Sequence, residues 1–173
     1  MCGQRNETVA HIISECTVLG QKEYLRHCNN VCQYIHLRLC KKLDLETTKN
    51  WYEHKPKGFV ESGTVKLLWD FVIQCDREVI ARKPDIVLID KENQLTKIID
   101  VAISGDGRVL EKEREKIDKY QPLHDEIARL WIMTKVEIIP VVVGALGAVS
   151  KQFEAYDRDQ DKCGACTKNS LVR

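Results

Sequence analysis

Apolar positions recur along this chain with two periods, about 3.6 residues in some stretches and two in others. From Gln21 to Leu43 they return every third or fourth residue. Val31, Ile35, Leu39 and Leu43 share a stripe, which predicts an amphipathic helix. Cys28, Cys32, His36 and Cys40 border that stripe at i+4 steps. One straight helix cannot wrap all of them around a tetrahedral ion, so they read as core packing. Asp44 to Gly63 reads as a polar connector carrying Trp51, Tyr52 and Pro56. The period then drops to two: Val65, Leu67, Trp69, Phe71 and Ile73 fall on one face of a strand expected over Thr64 to Gln74. Cys75 to Ile80 reads as a turn or short helix. Ile86 to Ile89 and Thr96 to Ile99 are two more strands, separated by a polar run from Asp90 to Leu95. Arg108 to Lys119 is charged and helix-forming and stops before Pro122. A second helix is expected from Leu123 to about Trp131. Val136 to Val143 reads as a buried strand in which Pro140 implies a bulge or an edge. A last short helix is expected from Ala148 to Tyr156.

The two strands around the polar run bring acids together. If Lys91 to Gln94 form a four-residue loop, Asp90 pairs with Leu95 and the ladder runs back until Asp85 faces Asp100. A two-residue loop at Glu92-Asn93 gives the same register. Directly opposed residues lie about 4.5–5.5 Å apart at Cβ, so two carboxylates share one pocket. Such a pair is costly unless a cation neutralises it, and hard oxygen donors suit Mg²⁺ or Mn²⁺. That is the chemistry of a metal-dependent nuclease.

Downstream, Lys112, Lys116 and Tyr120 stand at i, i+4 and i+8, with Lys119 on the same helical face. A lysine there would orient an attacking water or offset charge in the transition state. Glu111, Glu113 and Glu115 interleave with it, as on an ordinary solvated face. The aspartate hairpin just upstream favours a site. Arg82 and Lys83, beside Asp85, and Lys112 are candidate phosphate contacts.

Lys83-Pro84-Asp85, Asp100 and Lys116 together resemble the PD-(D/E)xK nuclease superfamily. More closely, the chain resembles the restriction-like endonuclease region of certain non-LTR retrotransposons, in which the lysine is displaced from the second strand to the following helix. Two residues after Asp100 stands Ala102, and Lys116 matches the displaced lysine. The resemblance runs from about Cys2 to about Tyr156. It implies an α/β, restriction-endonuclease-like fold: a mixed sheet flanked by helices, behind an N-terminal helical lead-in. It implies Mg²⁺- or Mn²⁺-dependent hydrolysis of a DNA phosphodiester by Asp85, Asp100 and Lys116, with Lys119 and Tyr120 in support. In that setting the nick primes reverse transcription in the nucleus, and element RNA is handled by a region upstream. Two further readings stay open: a non-catalytic nucleic-acid-binding remnant, and a stand-alone PD-(D/E)xK enzyme such as a junction resolvase.

Cys2, His11 and Cys16 give Cys-x8-His-x4-Cys, one ligand short of a structural zinc site. The same retrotransposon family carries a Cys-x2-Cys…His-x4-Cys knuckle ahead of its nuclease. Cys2 matches the second cysteine, which implies a piece of a longer polyprotein and Zn²⁺ binding where an upstream cysteine completes the set. The plainer reading is a reduced cysteine and a core histidine. The expected organisation is a knuckle-like segment over 1–18, helix and connector over 19–63 and a nuclease-like domain over 64–156. A disordered tail over 157–173 carries the pair Cys163 and Cys166, with no partners in view.

Composition narrows the setting. The chain has 173 residues, 43% hydrophobic and 31% charged, enough for one α/β domain with a sizeable core. The net charge of +1 means that DNA contact has to come from a local basic patch. No signal peptide stands out and no apolar run approaches the ~18 residues of a membrane span. The 8 cysteines are therefore expected to be reduced thiols of an intracellular protein without membrane contact.

Overall fold

The structure, a computed structural model, describes residues 20–45 and 48–144, together with Thr8 and Ala148. Cys2, His11, Cys16, Cys163 and Cys166 lie outside the described residues, as does nearly all of the expected last helix.

The first helix, α1, spans Gly20–Lys42. Its stripe of Cys32, Ile35, Leu39 and Cys40 is buried. Beyond Lys42 the chain reverses through Asp44, whose φ of 54° is left-handed. The Asp44 N–H donates to the Lys41 carbonyl at 3.3 Å and the Leu45 N–H to the Cys40 carbonyl at 3.0 Å. This is the Schellman pattern, and Leu45 packs on the core as that motif requires.

Five strands form one sheet in sequence order: β1 Phe59–Ser62, β2 Val65–Trp69, β3 Ile86–Asp90, β4 Leu95–Ser104 and β5 Lys135–Gly144. The first four pair antiparallel as a meander, and β5 runs parallel to β4 after the helix α2, Val109–Leu130. The architecture is mixed α/β, as expected. Alternation along the strands sorts side chains between two layers. Ile86, Ile99 and Val101 meet α1 on one face, while Val87, Ile89 and Ile98 meet Tyr120, Leu123 and Ile127 of α2 on the other.

Three sequence expectations are corrected, and one that left a turn or a helix open is decided. The connector contains β1, joined to β2 through Gly63 and Thr64; Gly63 takes φ 56°, the left-handed conformation a tight two-residue hairpin requires. The sheet therefore starts ahead of Thr64. The strand expected to reach Gln74 ends at Trp69, because Asp70 turns the chain with φ 49°. That turn leaves Phe71 exposed and carries Ile73 to the α2 side, opposite Leu67. No helix forms over Cys75 to Ile80, where the backbone N–H groups of Asp76 and Arg77 donate instead to Glu126 Oε1 at 3.1 and 3.2 Å. Finally, the two expected helices are one. Pro122 sits inside α2 on its exposed side, and the burial of Tyr120, Leu123 and Ile127 on either side of it outweighs the lost N–H. Pro140 does lie on an edge strand, where a residue without an N–H is tolerated.

Candidate active site

Asp85 stands one residue ahead of β3. The β3–β4 ladder begins at Ile86↔Ile99 and ends at Asp90↔Leu95, so one further step sets Asp85 opposite Asp100. A loop over 91–94 closes this hairpin, with Gln94 at φ 47° and the Asn93 N–H held by Asp90 Oδ1 at 3.1 Å. The register expected from a loop over 91–94, with Asp90 opposite Leu95, is the one present. Asp85 Oδ2 accepts the Val101 N–H at 2.7 Å, which ties the first acid to the strand that carries the second.

Asp100 shares the sheet face of Ile98, beneath α2, and its side chain is only 6% exposed. One turn apart on that helix, Lys116 and Tyr120 reach it together. The Lys116 ammonium is in ion-pair contact with Asp100 Oδ2, and the Tyr120 hydroxyl donates to Oδ1 at 2.5 Å. Lys119 Nζ donates to the Tyr120 hydroxyl oxygen at 3.0 Å and lies 3.9 Å from Asp100 Oδ1. The Lys83 carbonyl is a further neighbour of the Tyr120 hydroxyl, at 3.3 Å, so the Lys-Pro-Asp segment is tied to α2 as well.

These contacts set the protonation preferences. Burial and the neighbouring Asp100 carboxylate raise Asp85 above the usual carboxylate range, against the Val101 N–H and Lys116, which pull it down. Burial and the hydrogen bond to Asp100 push the Tyr120 phenol well above its ordinary value, so it stays a donor. Lys116 contacts Asp100 and Lys119 lies 3.9 Å from it, while Asp85 is held by the Val101 N–H; both acids offer oxygen donors. A hard divalent cation fits such donors.

All five residues expected to act in catalysis, Asp85, Asp100, Lys116, Lys119 and Tyr120, are therefore brought together. The expected phosphate contacts are more dispersed. Arg82 is exposed, and Lys83 Nζ pairs with Asp70 at 2.9 Å. Lys112 pairs with Glu115, three residues along α2, rather than with either acid. Sequence reasoning missed the contribution of α1. Asn29, Cys32 and Gln33 line a cavity of about 370 Å³ together with Asp85, Asp70, His54 and Lys55. The i+4 stripe was visible in the sequence, but its neighbour across the sheet was not. Glu113, grouped with the solvated acids, is buried instead, and its Oε1 has no hydrogen-bond partner. Compared with protein-family models and with curated proteins, the sequence matches none.

Proposed function

We propose that this protein is a divalent-metal-dependent endodeoxyribonuclease of the restriction-like type, acting within a retrotransposon-derived protein. The observation that carries the reading is the convergence on Asp100: an opposed aspartate from the hairpin, and a lysine and a tyrosine one turn apart on α2. Charge runs on solvated helices do not aim an ammonium and a phenol at one buried carboxylate.

Asp85 and Asp100 would hold Mg²⁺ or Mn²⁺. When bound, the ion supplies Lewis acidity toward a phosphate oxygen and makes water more acidic. The Tyr120 hydroxyl fixes the orientation of Asp100 through Oδ1. Lys116 places a positive charge beside the acids, where a phosphodiester under attack gathers negative charge. Lys119 holds the Tyr120 hydroxyl from the outer side. DNA is the proposed partner, met through exposed Arg82 and the lysines of this rim, with action in the nucleus.

The test is nicking of supercoiled plasmid. Purified protein is expected to nick in Mg²⁺ or Mn²⁺ and to stop when the metal is chelated. Asp85→Ala and Asp100→Ala should each reduce the rate by about 10²-fold or more, the scale of losing one charge-stabilising group in a transition state. Wild-type nicking by either variant would remove the hairpin from the mechanism.

A further inference from the structure

A second convergence lies outside that site, at the C-terminal end of α1. His36 and Cys40 stand one helical turn apart, and His54 reaches them from the segment after the 3-10 turn Trp51–Glu53. All three are buried, and their donor atoms lie within 4.8 Å of one another. His36 Nδ1 is 2.7 Å from His54 Nε2 and 3.4 Å from Cys40 Sγ. We infer that His36, Cys40 and His54 form a zinc site that clasps the connector onto α1.

The geometry is close to what zinc needs. Tetrahedral coordination with Zn–N near 2.05 Å and Zn–S near 2.3 Å sets N···N at about 3.3 Å and N···S at about 3.6 Å. The N···S contact is already within a few tenths of an ångström, and the imidazoles have to part by roughly 0.6 Å. Imidazole and thiolate are borderline and soft donors, which select Zn²⁺ and reject the hard ion proposed for the aspartates. Binding deprotonates the Cys40 thiol, so Zn²⁺ and the thiol give a Zn–S bond and one released proton.

The backbone around the ligands is already set. The Cys40 carbonyl accepts the Leu45 N–H in the Schellman turn. The His54 carbonyl accepts from the Gln33 side-chain amide, one turn before His36 on α1. All three side chains line one cavity of about 480 Å³ that Glu53 also lines, which leaves room for water or that carboxylate as a fourth ligand. His54 and Lys55 also line the separate cavity that Asp85 lines, so the clasp would hold that part of its wall.

The test uses the full chain and Zn²⁺ alone, and its readouts do not depend on nuclease activity. Metal-stripped wild type, Cys40→Ala and His54→Asn are loaded with Zn²⁺ and desalted, and zinc per chain is measured. The difference between proteins discounts any zinc held at Cys2, His11 and Cys16. Each variant is expected to hold one zinc fewer than wild type. Zn²⁺ should also raise the melting temperature of wild type and slow tryptic cleavage at Lys49 and Lys57, with both effects lost in His54→Asn. If Cys40→Ala does not fold, His54→Asn decides. Equal zinc content in wild type and His54→Asn, with equal protection of the connector, would overturn the site.

Discussion

The carboxylate of Asp100 has two oxygens, and α2 engages both: Oδ1 through the Tyr120 hydroxyl and Oδ2 through the Lys116 ammonium. Glu126, two turns further along α2, is held differently. Its side chain, 3% exposed, ion-pairs with Arg129 at 2.8 Å and accepts the backbone N–H groups of Asp76 and Arg77. Arg129 foremost, and then those N–H groups, pull its pKa from 4.5 down to about 2. A carboxyl with a depressed folded pKa contributes stability that is fully present above the unfolded value and lost as the pH falls through the folded one. Stability is therefore expected to decline between about pH 4.5 and about pH 2. Glu126→Gln should be less stable than wild type near neutrality, with part of that acid-side decline missing. Chemical denaturation at a series of pH values checks this, and a variant with the wild-type acid profile would contradict it.

At the level of elements, two positions depart from what local propensity prefers. Asp44 occupies the left-handed position that ends α1, where glycine is the usual residue. Its negative charge also meets the negative end of the helix dipole. Asp44→Gly should raise stability by up to about 1 kcal/mol, the lower part of the range for relieving a left-handed side chain. A shift of the urea midpoint to higher concentration with an unchanged slope is the expected readout. Pro122 shows why the α2 boundary could not be read from the sequence. A proline inside a helix costs about 3 kcal/mol, which ordinarily ends it. Here Tyr120 on one side and Leu123 and Ile127 on the other are all buried under the sheet, so packing holds the helix through the break. The opposite error occurred at β2, where alternation continued through Phe71 and Ile73 although the fold had already turned at Asp70. Hydrophobic periodicity does not register a positive φ. The β1–β2 hairpin was legible and missed: Gly63 followed by Thr64 between two short runs is a two-residue turn signal.

Across the whole molecule, the meander, the crossover helix and the parallel edge strand place α1 and α2 on opposite faces of one sheet. The proposed active site sits where both helices reach the rim around Asp85. The Asp85, Asp100 and Lys116 set was legible because each step that builds it is short in sequence: a strand period of two, a loop over 91–94 and a helix period. The His36, Cys40 and His54 cluster was not, because the third ligand comes from an irregular connector whose position depends on tertiary packing. If Lys116 acts on the transition state of phosphodiester cleavage, its loss must lower the rate and spare binding. Single-turnover nicking at saturating protein is measured for wild type, Lys116→Ala and Lys112→Ala, with DNA affinity titrated separately in Ca²⁺. Lys116→Ala should slow nicking by about 10²-fold while its DNA affinity stays within about threefold of wild type, since an interaction made only in the transition state lowers rate and not binding. Lys112→Ala, whose lysine pairs with Glu115 rather than with either acid, should nick at the wild-type rate. A Lys116→Ala protein that nicks as fast as Lys112→Ala would remove Lys116 from the chemistry.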